Sequence, residues 1–219
     1  MICQSERISN SRASNFWSTL SSSSISNTIG FGWYPGTNDL WGWDHGIDWL
    51  GDERQGEELN QLVQGSRYGW PYVYGKNRFN LQDEPPNGLS HQDWAKMSRE
   101  PTWLYTAHSA PMQMAFYTAD QFPAEYRNNA FVAMRGSWNR KPPSGYEVVR
   151  VRFQKGKPSQ VEPFLSGFLA QEGGQWTHSG RPVGVAVAAD GSLLVSDDTL
   201  GTIYRISYGS ANRSSRTSP

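Results

Sequence analysis

The residue types able to do chemistry concentrate in one stretch, Trp41 to Asn60, reading WGWDHGIDWLGDERQGEELN. Asp44, His45, Asp48, Asp52, Glu57 and Glu58 fall there among Gly46, Gly51 and Gly56. Carboxylates are rarely buried without a cation or donor to meet them, so the run is expected to be loop rather than core. Closely spaced glycines permit tight loops whose carbonyls face one centre, and such oxygen-rich loops suit a hard cation such as Ca2+. No EF-hand ligand repeat is present, so on spacing alone the stretch reads as a solvated loop with an acidic helix start. Paired carboxylates such as Asp44 and Asp48 are the equipment of a glycoside hydrolase, but nothing in the spacing singles out an acid and a nucleophile.

The elements that must hold this stretch are strands. Among 219 residues there are 10 Trp, 10 Tyr, 22 Gly and 13 Pro, a mixture that favours strands and turns over helices. The 20 basic and 20 acidic residues balance, which leaves no basic field for nucleic acid or an acidic membrane surface. A single cysteine, Cys3, allows no disulfide framework and no cysteine-based zinc site within the chain. No run approaches transmembrane length, and the N-terminus lacks the basic-then-apolar order of a secretory signal.

Along the chain, residues 1–26 are Ser-rich and are expected to be a disordered lead-in. Strand, turn and strand follow as Thr28 to Tyr34, Pro35 to Asn38, and Leu40 to Trp43. Glu57 to Val63 reads as a short helix or strand and Gly65 to Pro71 as a turn, while residues 75–108 look like a long irregular excursion. Further strands are expected at MQMAFYT after Pro111, at Ala130 to Met134, at Tyr146 to Phe153 and at Val161 to Leu165. The alternation of YEVVRVRF predicts a half-buried antiparallel strand. Pro182 to Ala188, Ser192 to Ser196 and Thr202 to Ser207 form three strands joined by tight turns, the first carrying Asp190-Gly191. Gly30 and Gly184 occupy the same place in a strand–turn–strand–acidic-loop unit, and the Pro111 segment lies between them. Such repeated antiparallel units point to propeller blades, with a β-sandwich as the alternative; about three blades are countable. The tail, residues 209–219, is polar.

The segments NTIGFGWYP, LWGWDHGIDWLGDE, EELN, YGWP, HSAPMQMAFYTADQFPAEYRNNAFVAMRGSWNR, GYEVVRVRF, GRPVGVAVAADGSLLVSDD and GTIYRISY resemble, in order, signature segments of the glucose/sorbosone dehydrogenases. The similarity runs from Asn27 to about Tyr208, so residues 27–208 would be the C-terminal part of such a domain. The nearest branch is that of the sorbosone and aldose sugar dehydrogenases. The resemblance implies an all-β, six-bladed β-propeller of the quinoprotein type, of which about three blades are present, using pyrroloquinoline quinone (PQQ) and Ca2+. It implies oxidation of an aldose or sorbosone-type sugar by hydride transfer to the quinone, an external electron acceptor, and a periplasmic or secreted setting.

By position in those motifs, Asn27, His45 and Arg181 would contact the cofactor, with Arg135 and Asn139 near a further cationic contact. The carbonyls of Gly46 and Ile47 would hold the Ca2+ that meets PQQ, and Glu58 with the Tyr68 carbonyl a second, structural calcium. Two departures accompany the resemblance. The family's proton-removing histidine belongs to an upstream blade that His45, His91, His108 and His178 do not match, leaving the catalytic base unknown; and Ser26 stands where the family has an arginine. The expectation is therefore a truncated propeller, inactive or partly active alone, with unclosed edges open to self-association. The alternative is a calcium-stabilised carbohydrate-binding module in which Trp41, Trp43, Trp49 and Trp70 stack on sugar rings.

Overall fold

The computed structural model describes residues 27–209. The chain is nearly all-β, built on three antiparallel sheets made from consecutive stretches of sequence. Sheet 1 takes β1 (Thr28–Trp33), β2 (Leu40–Asp44) and β3 (Glu57–Leu62), with β6 (Trp103–Tyr105) as its fourth strand. Sheet 2 is a meander of β7 (Pro111–Phe116), β8 (Ala130–Met134), β9 (Glu147–Gln154) and β10 (Lys157–Leu165). Sheet 3 holds β13 (Pro182–Val187), β14 (Leu193–Asp197) and β15 (Ile203–Ile206). Two hairpins stand apart: β4 (Val73–Tyr74) with β5 (Arg78–Phe79), and β11 (Leu169–Glu172) with β12 (Gln175–His178).

Sheet 2 is the middle layer, and its period-2 alternation shows why. Ala130, Val132, Met134, Val149 and Val151 face sheet 1 and pack on Trp41, Trp43 and Leu59. Phe131, Ala133 and Val148 face the other way onto Val185, Leu193 and Val195 of sheet 3. With both faces covered, every residue of β8 is buried. The sequence-based reading of β9 as a half-buried strand is thereby corrected. Its Arg150 is itself buried, with the guanidinium lying over the Tyr126 ring, paired to Glu162 and donating to the Glu125 carbonyl. An arginine whose terminal nitrogens are paired in this way, although its Nε finds no partner, can occupy an inward position that alternation alone assigns to solvent.

The excursion over 75–108 is also more regular than expected. Its last segment supplies β6, and within it lies α1 (His91–Lys96), started by a reciprocal capping box between Ser90 and Asp93. β10 begins four residues earlier than predicted because Lys155 and Gly156, both at positive φ, make a two-residue hairpin turn. The β11–β12 hairpin carries no alternating apolar pattern and was missed in the sequence. The expectation for residues 1–26, and all but Gly209 of the tail, lie outside the described residues. Among the described residues no helix is long and apolar enough to cross a membrane.

Candidate active site

The three sheets repeat one local device. In each, the ladder between the first two strands opens with the pair Thr28↔Asp44, Pro111↔Met134 or Pro182↔Asp197, followed by a register shift. Just outside that pair, the amide leaving the second strand donates to the carbonyl of the residue entering the first. The bonds are His45 to Asn27, Arg135 to Ala110 and Asp198 to Arg181. Six residues from three remote stretches thus hold equivalent places at one end of their sheets. Five of them, Asn27, His45, Ala110, Arg135 and Arg181, line one cleft of about 400 Å3. The sixth, Asp198, pairs with Arg135 through a 2.7 Å contact to Nε.

The Arg181 guanidinium donates to the carbonyls of Arg135, Gly136 and Ser137 and lies over the Tyr146 ring, 5.4 Å from its centroid. No carboxylate pairs with it among the described residues, so its charge is left for an anion in the cleft. The His45 ring donates from Nε2 to the Pro111 carbonyl, leaving Nδ1 with a lone pair. Burial holds its pKa below the ordinary histidine value, so the ring is neutral.

The carboxylate-rich stretch is not one solvated loop. Its ends are strands, and Asp44, Glu57 and Glu58 are buried. Each finds donors instead of water. Asp44 accepts from the Asn27 amide at 2.6 Å and from the Thr28 hydroxyl. Glu57, 1% exposed, accepts from the Gly46 amide at 3.0 Å and the Ala110 amide at 2.9 Å, tying the His45–Ile47 loop to the entry of sheet 2. Burial pushes the Glu57 carboxyl up to about 8, against the pull of those two amides. Glu57 and Leu59 face sheet 2, whereas Glu58 on the opposite face accepts from the Gly75 amide and Asn60, and burial pushes it up to about 7.

Asp48 holds the rim. It accepts from the Trp138 indole at 2.6 Å and lies 3.1 Å from His108 Nδ1, while His108 Nε2 is 3.1 Å from the Gly51 carbonyl. Asp44 and Asp48, weighed in the sequence as a hydrolytic pair, are thus each engaged in holding loops. Arg140 adds a second tie between these segments, donating to the Asp52 carbonyl and pairing with Glu53.

Of the residues expected to hold cofactor, Asn27, His45, Arg135 and Arg181 converge on the cleft, and so does Gly46. Asn139 does not: it is exposed beyond the lining, and its neighbour Trp138 takes the rim position. Ile47 lies one residue along from Gly46, its amide bound to the Gln55 side chain. No hydrogen bond to the Gly46 carbonyl occurs among the described residues, and Ile47 is the N-cap of the 3-10 turn Asp48–Leu50. No cluster of three or more His, Cys, Asp or Glu side chains suited to a metal occurs among the described residues, so calcium here would rely on backbone oxygens. Glu58 and Tyr68 lie off the cleft, Tyr68 packed with Leu40 and Leu62 and its hydroxyl bonded to Gln61 and Val63. Glu57, His108, Ser137 and Trp138 line the cleft although sequence reasoning gave them no part in it. The period-2 register of EELN was the one signal that could have turned Glu57 inward.

Trp41 and Trp43 are core residues between sheets 1 and 2, which removes them as sugar platforms. Residues 9–209 match the family described as TrAA12-like. An uncharacterized protein of Borreliella burgdorferi is 34% identical over 188 residues, covering 84% of this chain and 47% of the relative. The pyrroloquinoline quinone-dependent pyranose dehydrogenase of Coprinopsis cinerea is 36% identical over 125 residues, covering 49% of this chain and 16% of that protein. A calcium structure of the Trichoderma reesei family AA12 enzyme shares the fold, with TM-score 0.62 at 23% identity over 83% of this chain and 52% of that one. The chain therefore spans about half the length, or less, of the relatives it matches. The match takes in every described residue and makes this chain a member of the TrAA12-like family.

Proposed function

We propose that the cleft is the PQQ- and Ca2+-binding site of a sugar oxidoreductase acting on an aldose or sorbosone-type sugar, and that the three sheets are consecutive blades of a six-bladed propeller. The observation that carries this reading is Arg181, a carbonyl-clamped guanidinium with no carboxylate partner among the described residues, sharing one cleft with Gly46, Asn27, His45 and Arg135. An anionic planar cofactor and a hard cation need that combination of donors and oxygens.

Bound there, PQQ with its Ca2+ would supply the two-electron acceptor for hydride from the sugar's hydroxyl-bearing carbon. The chain's own residues bind and orient. Arg181 and Arg135 offer charge to carboxylates, and Asn27 offers an amide side chain. Gly46 and Ile47 present carbonyls that Glu57 and Gln55 hold in place from behind, through the amides of the same two residues. Neutral His45 keeps its proton on Nε2, so Nδ1 is left as an acceptor. Glu58 with the Tyr68 carbonyl is proposed for a second, structural calcium. By kinship the setting is periplasmic or extracellular, with an external electron acceptor.

Absorbance titration with PQQ in the presence of Ca2+, comparing the wild-type chain with Arg181→Lys, tests the reading. Lysine keeps the charge and loses the fork, and affinity is expected to fall roughly 10- to 100-fold, the value of a hydrogen bond to a charged group. Equal affinities would remove Arg181 from the cofactor site.

A further inference from the structure

We infer that Trp138 is the sugar-stacking platform of the cleft, an assignment that rests on the sugar-oxidoreductase reading above. The side chain lines the cleft yet is 73% exposed, the most exposed tryptophan among the described residues. The surroundings of this exposed indole fix it. The residues before it are held through the Gly136 and Ser137 carbonyls by Arg181, and those after it by the Arg140 contacts to Asp52 and Glu53. The indole N–H donates to Asp48 at 2.6 Å, and Asp48 is in turn bonded to His108. No aromatic ring or cation packs on the indole among the described residues, and it is largely open to solvent. Trp33, by contrast, packs edge-on with Phe31. A flat apolar surface, anchored by its polar edge beside a rim of charged and polar groups, suits a pyranose: ring C–H groups lie on the indole while hydroxyls meet the polar lining. Anchoring the ring beforehand removes the ordering cost from the binding step.

The test is ligand-observed NMR titration of the full chain with D-glucose, as apo protein and loaded with PQQ and Ca2+, alongside absorbance titration with PQQ. Trp138→Ala is expected to weaken D-glucose binding about tenfold, and Trp138→Phe, which keeps a ring face, by no more than about threefold. Trp49→Ala, an exposed tryptophan outside the cleft, is expected to leave D-glucose binding unchanged. PQQ affinity should be the same in all four proteins. Unchanged glucose binding in Trp138→Ala overturns the assignment. A loss that falls on PQQ also overturns it, because the indole would then be stacking on the cofactor. If the wild type binds no PQQ, the functional reading fails on its own, and the apo titration still decides this one. Glucose binding that depends on Trp138 sustains the platform, and no glucose binding in either state overturns it.

Discussion

Glu57 shows how a carboxylate can look solvated in sequence and act as an internal strut. It sits in the most acidic run of the chain, where burial is the last expectation, yet two backbone amides from different sheets converge on its oxygens. Because burial raises its folded pKa to about 8 from a usual value of 4.5, the folded state keeps a proton that the unfolded chain gives up between those limits. The unfolded state then binds fewer protons, so stability falls as pH rises across that window, by at most about 1.4 kcal/mol per pH unit for this group. Urea unfolding in EDTA over that range should show the fall, and Glu57→Gln should flatten it. Parallel profiles would show that Glu57 does not carry the proton. His45 moves in the opposite sense: burial keeps it neutral, which leaves Nδ1 an acceptor rather than making the ring a cation.

At the scale of elements, the repeated glycine marks where sheets touch. A Cβ added at Gly30 would lie 1.9 Å from the Met112 carbonyl oxygen, a backbone atom of β7 that cannot swing aside. At Gly184 the added atom would meet the Ser196 hydroxyl at 2.5 Å and the Gln113 side chain at 3.2 Å, both able to rotate. Gly30→Ala should therefore cost about 1–3 kcal/mol in urea unfolding, the range for overpacking, and Gly184→Ala distinctly less. Equal costs would mean that sheets 1 and 2 do not meet at that glycine. This repeat was legible in the sequence, as were β1, β2, β8 and the three strands of sheet 3, because Gly-Pro-Asn turns and apolar alternation signal them locally. What escaped was set by tertiary partners. β9 carries a polar face that Tyr126 and Glu162 make burial-compatible, β6 is a three-residue strand defined only by its pairing with β3, and the β11–β12 hairpin is exposed and has no apolar period.

At the scale of the whole molecule, the cleft exists because three sheets present the same two positions at one end. Asn27, His45, Arg135 and Arg181 were recognisable as candidates through motif resemblance, while their equivalence and convergence follow only from the ladders. Loop residues such as Trp138 and His108 could not be read, since their partners lie 60 to 90 residues away. Thermal unfolding with PQQ alone, Ca2+ alone, and both shows whether this end of the sheets forms one calcium-dependent quinone site. A ligand that binds only the folded state at about 100 times its Kd adds about 2.7 kcal/mol, which for a chain of this size raises Tm by several degrees. That rise is expected only when both are present, because the Gly46 and Ile47 carbonyls and Arg181 each supply part of the proposed site. No shift with both present, or an equal shift with PQQ in the presence of EDTA, would contradict it.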